Sequence, residues 1–528
     1  MSNSQRWTLI AAVLGSSIVF LDAAVLPVAL PAIGREPRLF VDVLEGQNYV
    51  QYGYLLSLSA FLVLAGALSD YFGRRRLFVI GLIGFGVTSV LCGLAPNLEV
   101  LIVARLLQGA AGAILVPGSL AIISNAFEGE EQGRAFGVWA AASGVAPILG
   151  PFVGGVLVDD VSWRAIFLLN IPLIAVATWA ALRYVKETSD EGASGSFDWL
   201  GAVLVALAVG GLSFGAIYGQ QREWQDPVAI VAIGLGALAA VVMPFYFKRT
   251  RNPLIPLQLF RSRNFTVTNI STLLIYGALY VALLFTPIYQ QGALGYSAPA
   301  VGLGAIPGSL FFIFLSTKFG ALAGRYGPRL FMTVGPVLIG LGQLWLARIP
   351  ANSEPWRLSI GDPSTYVPTM GYLVDIFPTS VLVGLGLAMM VAPLTTALMR
   401  SVPGRQAGVA SAINNAISRV GPQLAGALIF VVVTASFYSA LAARVPGLDV
   451  NSPAVRAALP PLNQPAAEVP PDQVAAARIA STEAFHLAMI GNFVLLMLGA
   501  ATNAVGIDNR RALADGPAPV KGTPVSAD

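Results

Sequence analysis

The feature that most constrains this chain is a series of apolar runs, each about twenty residues long, that recurs along nearly its whole length. The runs fall at about 8–33, 49–69, 77–95, 99–125, 135–158, 164–183, 199–219, 227–247, 265–289, 299–321, 330–348, 371–397, 407–440 and 483–506. Because an α-helix rises about 1.5 Å per residue, each run is long enough to cross the roughly 30 Å hydrocarbon core of a bilayer. The sequence therefore predicts fourteen transmembrane helices and an all-α integral membrane protein.

The composition agrees with this prediction and excludes a water-soluble fold. Apolar residues make up 56% of the chain and charged residues only 11%, whereas a soluble domain carries roughly a quarter charged residues. The single Cys92 and the single His486 leave no cluster of metal ligands. We therefore predict neither a metal site nor a cofactor, and the small net charge of +4 gives no reason to expect a nucleic-acid partner.

Lysine and arginine are distributed unequally between the two ends of these helices. With the N-terminus in the cytoplasm, 20 of the 31 lie at cytoplasmic ends, 9 lie in outer loops, and Arg105 and Arg419 lie within helices. Short cytoplasmic loops of membrane proteins carry an excess of Lys and Arg. We therefore predict a multi-pass protein of the plasma membrane with both termini in the cytoplasm.

Two glycine-rich patterns occur twice in the chain. The pattern at 66–75 recurs at 320–329, offset by 254 residues, and the pattern at 133–155 recurs at 404–426, offset by 271 residues. In both cases the two copies lie eight helices apart, and an even separation preserves the orientation in the membrane. The repeat predicts two parallel six-helix bundles with two helices inserted between them.

This repeat divides the chain into four predicted parts. They are an N-terminal six-helix bundle at 8–185, inserted helices 7 and 8 at 196–250, a C-terminal six-helix bundle at 262–506, and a disordered cytoplasmic tail at 507–528. Two long outer loops, at about 349–370 and 441–482, are rich in Pro, Ala and Ser and lack a periodic apolar pattern. We expect these two loops to be partly ordered surface segments.

Four motifs carry a resemblance to a known family. They lie at 66–76 (GALSDYFGRRR), 105–109 (RLLQG), 150–155 (GPFVGG) and 163–172 (WRAIFLLNIP). With these motifs the chain resembles the major facilitator superfamily, and in particular its fourteen-helix drug:proton antiporter branch. The chain departs from the family pattern in helix 1, where Ala24 and Pro27 replace a Thr and an Asn, and in helix 5, where Ala146 replaces the middle glycine.

Asp22 is the most informative single residue, because an ionised carboxylate within a transmembrane helix is costly and is rarely kept without a partner or a water-filled cavity. Asp22 lies about seven residues, and Arg105 about six, from the outer ends of their helices, which places the two at a similar depth. The family resemblance implies that both face a central cavity, with Asp22 as the proton carrier and Arg105 as its partner. The alternative is a static ion pair between helices 1 and 4.

The resemblance also implies roles for two other motifs. Asp70, Gly73, Arg74 and Arg75 would form a gate at the cytoplasmic ends of helices 2 and 3, although the arginines could instead serve only as topology anchors. The helix 5 antiporter motif comprises Gly137, Gly150, Pro151, Gly154 and Gly155. Simple helix packing explains those glycines about as well as a functional role does.

Polar and aromatic residues within the predicted helices are candidates for the substrate cavity. They are Gln108, Tyr276, Tyr280, Asn414, Asn415 and Arg419. Arg419 could contact an anionic or hydrogen-bonding part of a substrate, or it could neutralise a helix end. The tyrosines could line the cavity or pack within the bundle.

Together these features predict a secondary active transporter that exports amphiphilic small molecules by alternating access, coupled to protons. With Asp22 as the one clear acid in the core against Arg105 and Arg419, neutral, zwitterionic or anionic substrates fit better than dications. A lipid or lipid-precursor transporter of the same fold is the main alternative, and a non-transporting membrane receptor or scaffold is the alternative of another class. No enzyme is expected, because no nucleophile, base and orienting group can be assembled from these helices. We expect a monomer whose partners are the bilayer, its substrate and protons.

Overall fold

The computed structural model describes residues 1–33, 43–189, 197–221, 224, 226–359, 362–403, 406–466 and 468–509. Helices account for most of these residues, and no β-strand occurs in these ranges apart from an isolated bridge between Ser359 and Asp362. The predicted cytoplasmic tail lies outside the described residues from 510 onward.

Fourteen long helices make up the bundle in the part of the chain that the structure describes. They are α1 (Asn3–Ile33), α2 (Val43–Phe72), α3 (Arg74–Gly93), α4 (Leu98–Ala126), α5 (Gly129–Asp160), α6 (Ala165–Tyr184), α7 (Trp199–Gln221), α8 (Pro227–Arg249), α9 (Arg263–Tyr289), α10 (Ile306–Tyr326), α11 (Arg329–Leu346), α12 (Phe377–Arg400), α13 (Ala407–Arg444) and α14 (Pro471–Gly506). Over the described residues, thirteen of them are long and apolar enough to cross a bilayer. The fourteenth, α5, has 32 residues. The predicted all-α membrane fold is confirmed.

Short local signals set the ends of several helices. The Asn97 side chain accepts a hydrogen bond from the Val100 amide at 2.9 Å and begins α4, and Asp226 begins α8 in the same way. The turns from α2 to α3 and from α10 to α11 each use a glycine with positive φ, 106° at Gly73 and 88° at Gly327. Such a φ is strained for residues with a Cβ, so these two turns explain why the glycines recur at corresponding places.

The packing of helices repeats along the chain. In the first half, α1 packs on α5 and α6, α2 on α4, and α3 on α4 and α6. In the second half, α9 packs on α13 and α14, α10 on α12, and α11 on α12 and α14, so every contact recurs eight helices later. Helices α7 and α8 pack on each other, and α7 also contacts α2 and α13. This pattern supports the proposed division at 8–185, 196–250 and 262–506, whose boundaries stay predictions.

The two described ends of the chain lie at the same end of the bundle. The Met1 amino group pairs with Glu131 at 3.2 Å, and the Asn509 side chain accepts a hydrogen bond from the Arg329 amide at 3.1 Å. We call this end, which also carries the turn at Gly73, the basic face, and the other end the opposite face. The sequence predicts that the basic face is cytoplasmic.

The two halves join mainly near the basic face. There α2 packs on α13 and α5 packs on α10. One buried apolar cluster combines residues of the first half with Leu398, Val402 and Val409 of the second. The clusters at the opposite face, as far as the structure describes them, contain residues of a single half each. The structure therefore shows the halves closed against each other at the basic face.

The long loops of the opposite face are more ordered than the sequence suggests. Trp356 and Leu462 are buried, and the Trp356 indole donates to the Thr365 carbonyl at 2.9 Å. Helix α14 begins at Pro471, twelve residues before the predicted start near 483. A proline at the first helical position favours this early start, and buried alanines along the added turns pack into the loop. We call residues 349–370 and 441–482 the cap.

Candidate functional site

The structure brings Asp22 and Arg105 into direct contact inside the first half. Arg105 Nη1 donates to Asp22 Oδ2 at 2.5 Å, and Gln108 Nε2 and Asn170 Nδ2 donate to Asp22 Oδ1 at 3.3 and 3.2 Å. Gln108 and Asn170 also donate to Ser89 Oγ at 2.8 and 3.2 Å. These five side chains come from α1, α3, α4 and α6 and are all nearly inaccessible. The carboxylate accepts three hydrogen bonds, as an ionised buried acid requires.

Contacts with two aromatic rings, a backbone carbonyl and an amide oxygen also hold Arg105 in place. Its guanidinium lies 4.2 Å above the Tyr54 ring and 5.6 Å from the Phe167 ring, and its Nε donates to the Val50 carbonyl at 3.2 Å. Arg105 Nη1 also donates to Gln108 Oε1 at 2.6 Å. The guanidinium therefore has hydrogen-bond and aromatic partners besides Asp22. Its third nitrogen, Nη2, has no hydrogen-bond partner within the described residues.

Asn170, Ser89 and Tyr54 belong to this network, although the sequence did not single them out as site residues. Asn170 lies within the recognised motif 163–172, which was the one available signal. It begins the second segment of α6, after a break at Leu169. Pro172 has no N–H to donate to the Leu168 carbonyl, which accounts for the break. Ser89 is one serine among many, so its place became visible only in three dimensions.

Asp70 lies at the junction of the two halves. One carboxylate oxygen accepts hydrogen bonds from Arg74 at 2.8–2.9 Å, and the other accepts from the Val409 amide at 3.0 Å. Val409 lies in the first turn of α13, where amides lack helical partners and the helix dipole favours negative charge. A Cβ at Gly408 would come within 2.6 Å of the Asp70 carboxylate, so glycine is required for this approach. We call Asp70, Arg74 and the first turn of α13 the basic-face lock.

Arg75 and Gly73 belong to a neighbouring contact within the first half. The Glu187 carboxylate accepts hydrogen bonds from the Arg75 and Arg76 amides, both at 3.0 Å, and so binds the N-terminus of α3. Arg75 Nη1 donates to the Val185 carbonyl at 3.4 Å. Of the predicted gate residues, Asp70 and Arg74 thus form the lock, while Gly73 and Arg75 shape the turn beside it.

The glycines of α5 serve two different contacts. A Cβ at Gly137 would lie 2.9 Å from the Thr317 Cα atom on α10, in the other half. Cβ atoms at Gly150 and Gly154 would lie 2.7 Å from Ala24 Cβ and 2.9 Å from Val25 Cγ1 on α1, in the same half.

The remaining two residues of the motif, Pro151 and Gly155, fall within α5, but their side-chain surroundings lie outside the described residues. One end of the motif therefore lies between the halves, and its middle packs on the helix that carries Asp22.

The candidate cavity residues of the second half fall into two groups. Asn414 Nδ2 donates to Asn269 and Thr272 on α9, and Asn415 donates to the Ser411 carbonyl of its own helix. These amides are engaged in helix contacts. Gln108, the candidate on α4, is fully buried in the Asp22 network.

Arg419 and the two tyrosines form the second group. Arg419 lies on α13, and on the neighbouring helix α9 Tyr276 stacks on Tyr280 with ring centroids 6.3 Å apart. Arg419 Nε is buried and has no hydrogen-bond partner in the described part of the chain. Arg419 therefore offers a buried N–H that is not engaged by the described residues, in the same half as the two stacked tyrosines.

Among the described residues, no group of three or more His, Cys, Asp or Glu side chains is placed to hold a metal ion.

Comparison with known proteins identifies the family. Residues 12–426 match the family model of the Major Facilitator Superfamily. The chain belongs to this superfamily. The family resemblance that the motifs carried is thereby confirmed.

Several curated superfamily relatives bear names that refer to drug resistance or export. Multidrug resistance protein Stp of Mycobacterium tuberculosis (strain ATCC 25618 / H37Rv) is 35% identical over 441 residues, which cover 82% of this chain and 77% of that protein. The tetracenomycin C resistance and export protein of Streptomyces glaucescens is 30% identical, covering 81% and 75%. The methylenomycin A resistance protein of Bacillus subtilis is 29% identical, covering 82% and 88%.

A solved structure gives independent support for the superfamily fold. The human organic anion transporter MFSD10 superposes with a TM-score of 0.54 and covers 94% of this chain and 100% of its own. Its sequence identity is 14%, so the likeness concerns the fold alone.

Proposed function

We propose that this superfamily member is a proton-coupled exporter of amphiphilic small molecules that works by alternating access in the plasma membrane. The observation that carries the proposal is the buried Asp22–Arg105 pair, because a transmembrane carboxylate that can gain and lose a proton couples transport to a pH gradient. The drug-resistance and export names of the relatives support the same class of substrate.

Gln108 provides a way for the pair to separate without leaving a bare charge. When Asp22 takes up a proton, its attraction to Arg105 falls, and Arg105 Nη1 keeps its hydrogen bond to Gln108 Oε1. The Tyr54 ring also retains the cation. Protonation would thus loosen α1 from α4 while Arg105 stays in place, which can change how α1 packs on α5 and α6.

The basic-face lock provides the second element of an alternating-access cycle. Asp70 joins α2 to the first turn of α13 across the two halves, and this contact exists only while the basic face is closed. Opening that face breaks the contact between the carboxylate and the helix N-terminus. With the predicted orientation, the structure corresponds to the state that is closed toward the cytoplasm.

The charge balance of the core supports neutral, zwitterionic or anionic substrates over cations. Asp22 is already paired with Arg105, whereas Arg419 Nε has no hydrogen-bond partner among the described residues. An anionic or hydrogen-bonding group of a substrate could pair with Arg419, and Tyr276 and Tyr280 could contact its apolar part. We further propose a monomer that needs no cofactor and catalyses no reaction.

A direct test measures proton movement in proteoliposomes that contain the purified protein and a pH-sensitive dye in the lumen. Under an imposed pH gradient, adding an anionic amphiphile should release protons in proportion to its transport. An Asp22→Asn variant should show neither proton release nor transport. A Glu483→Gln variant, which alters an exposed acid at the opposite face, should behave like the unmodified protein.

Two outcomes would redirect the proposal. Transport of phospholipid analogues, with no response to amphiphilic drugs, would favour the lipid transporter. Specific binding without any transport of either class would favour a receptor or scaffold.

A further inference from the structure

A cavity of about 180 Å³ lies between the inserted helix α7 and the parts of α2 and α4 nearest the opposite face. Its walls include Gly53 and Leu56 from α2, Ile102 and Leu106 from α4, and Phe214 and Ile217 from α7. It is separate from the Asp22 network and from Arg419. The cavity exists because α7 packs alongside α2 and leaves a gap in front of α4.

The wall of this cavity is almost purely hydrocarbon. Tyr49 and Tyr218 are the two tyrosines of its wall. Tyr218 donates its hydroxyl hydrogen to Asp226 at 2.8 Å and stacks its ring on Phe214, with centroids 5.3 Å apart. The hydroxyl group is thus committed to the turn between α7 and α8. A cavity of about 150 Å³ with such a lining stays free of water and accepts an apolar guest.

The cavity lies at the periphery of the bundle and at the depth of lipid chains. Val103 and Leu107, which follow Ile102 and Leu106 on α4, are 56% and 53% exposed. In a membrane-spanning chain such side chains contact lipid. Ile102 and Leu106 lie about 6 and 12 Å along α4 from its first residue, Leu98. This depth falls within the hydrocarbon of a single leaflet.

The walls of the cavity are continuous with the surroundings of Arg105. Leu106 directly follows Arg105 on α4, and Tyr49 of the cavity directly precedes Val50, whose carbonyl accepts the Arg105 Nε hydrogen bond at 3.2 Å. A guest in the cavity would therefore contact the same turns of α2 and α4 that hold Arg105, from their lipid side.

We propose that this cavity binds an acyl chain of a membrane lipid from the leaflet at the opposite face. The chain fills the gap between α7, α2 and α4 and keeps the inserted helices attached to the first half. The hydrocarbon wall, the peripheral position and the depth within one leaflet all select a lipid tail as the occupant. The inference does not depend on the proposed transport function.

Photocrosslinking in vesicles tests this proposal. The full-length protein is reconstituted into vesicles of phosphatidylcholine and phosphatidylglycerol that contain a phosphatidylcholine with a diazirine on one acyl chain. After irradiation, lipid adducts are mapped by mass spectrometry. Adducts on 49–56, 102–106 and 214–218 should exceed those at Phe245, an exposed α8 residue that reports ordinary lipid contact.

Variants that fill the cavity give the decisive comparison. A Cβ at Gly53 would lie 3.5 Å from Leu106, an ordinary contact, so Gly53→Ala should leave the adducts unchanged. Gly53→Phe should reduce them about tenfold, a change equivalent to about 1.4 kcal/mol of binding free energy. Ile217→Phe fills the cavity from α7 and serves where Gly53→Phe does not fold. Cavity adducts no more frequent than those at Phe245, or unchanged adducts in a folded filling variant, would overturn the proposal.

Discussion

At the scale of single residues, the proposed proton coupling depends on how Asp22 is neutralised. Its carboxylate is buried, and removing one partner of a buried ion pair typically costs 3–5 kcal/mol because the other charge is left unpaired. Here Gln108 and Tyr54 remain in contact with Arg105, which reduces that cost. Arg105 therefore has two contacts that do not depend on the charge of Asp22.

We expect Asp22→Asn to separate substrate binding from proton coupling. The carboxamide keeps the shape of the side chain but cannot titrate, so pH-driven accumulation should be lost, while substrate affinity should change by less than about tenfold, or 1.4 kcal/mol. Binding is measured by calorimetry in detergent and accumulation in proteoliposomes. Undiminished pH-driven accumulation by the folded variant would remove Asp22 from the mechanism.

The contact between Asp22 and Arg105 could be predicted from the sequence, because counting residues along each helix gives the depth of each side chain in the membrane. The partner Asn170 was not, because its position depends on the break at Leu169 and on how α6 packs against α1 and α3. Gln108, predicted for the substrate cavity, lies in the Asp22 network, and its cavity role stays a prediction. Its depth could be counted from the sequence, but the direction in which it points could not.

At the scale of helices, the basic-face lock joins α2 to α13 through a charge at a helix N-terminus. Such a contact contributes about 0.3–1 kcal/mol when exposed and up to about 2 kcal/mol when partly buried. Asp70 is 6% exposed, which places the lock toward the upper end of this range. A difference of this size is enough to shift a two-state equilibrium several-fold.

We expect Asp70→Asn to increase the population that is open at the basic face. The amide has no negative charge to offer the first turn of α13, so the closed state should be weakened by about 1–2 kcal/mol. Distances between spin labels at residues 76 and 330 should then include a longer population. Asp375→Asn is the matched control, because Asp375 pairs with Arg348 at the opposite face.

Gly408→Ala should weaken the same lock without removing a charge. Its methyl group would displace the Asp70 carboxylate, so the spin-label distances should shift in the same direction as in Asp70→Asn. Lost transport with unchanged distances in both variants would mean that the lock serves insertion or folding rather than opening.

A second prediction at this scale concerns the contact between α5 and α10. Gly137→Ala places a methyl group 2.9 Å from the Thr317 Cα atom, and overpacking of this kind typically costs 1–3 kcal/mol. The midpoint of thermal unfolding in detergent should therefore fall. Gly234→Ala on α8 is the control, because a Cβ there meets no atom within 4 Å. Equal unfolding midpoints of both variants would mean that the contact between α5 and α10 accommodates the methyl group without loss of stability.

The bounds of the helices show where sequence reasoning fails at this scale. Apolar runs predicted α9 at 265–289 and α7 at 199–219, close to the observed Arg263–Tyr289 and Trp199–Gln221. The start of α14 was missed because its first three turns lie beyond the apolar run and are rich in alanine. Hydropathy detects the part of a helix that lies in lipid, whereas the first turns of this helix belong to the cap.

At the scale of the whole molecule, the orientation in the membrane is the property that most needs a direct measurement. We expect cysteines introduced by Arg249→Cys and Asp508→Cys to react with an impermeant maleimide only after the membrane is opened, and Asp362→Cys to react on intact cells. The native Cys92 is fully buried and should stay silent. Labelling of the Arg249→Cys variant on intact cells would reverse the predicted orientation.

The fold class and the superfamily were predictable from the sequence, because lipid imposes the long apolar runs and because the motifs lie at fixed turns. The state of the molecule was not predictable. Which faces of the two halves meet depends on side chains far apart in sequence, such as Asp70 and Val409, and no local pattern records that they touch. The position of the inserted α7 beside α2 and α13 was hidden for the same reason.

The cap makes the outline of the molecule unequal. Helices α13 and α14 have 38 and 36 residues and so extend about 57 and 54 Å, well beyond the roughly 30 Å hydrocarbon core. The second half therefore extends farther than the first, whose longest described helix, α5, has 32 residues. An antibody fragment raised against this extension would bind one half only, so the basic-face lock at the other end of the molecule would stay free to open. In electron-microscopy images, the added mass of the fragment would distinguish the two bundles, which otherwise look alike.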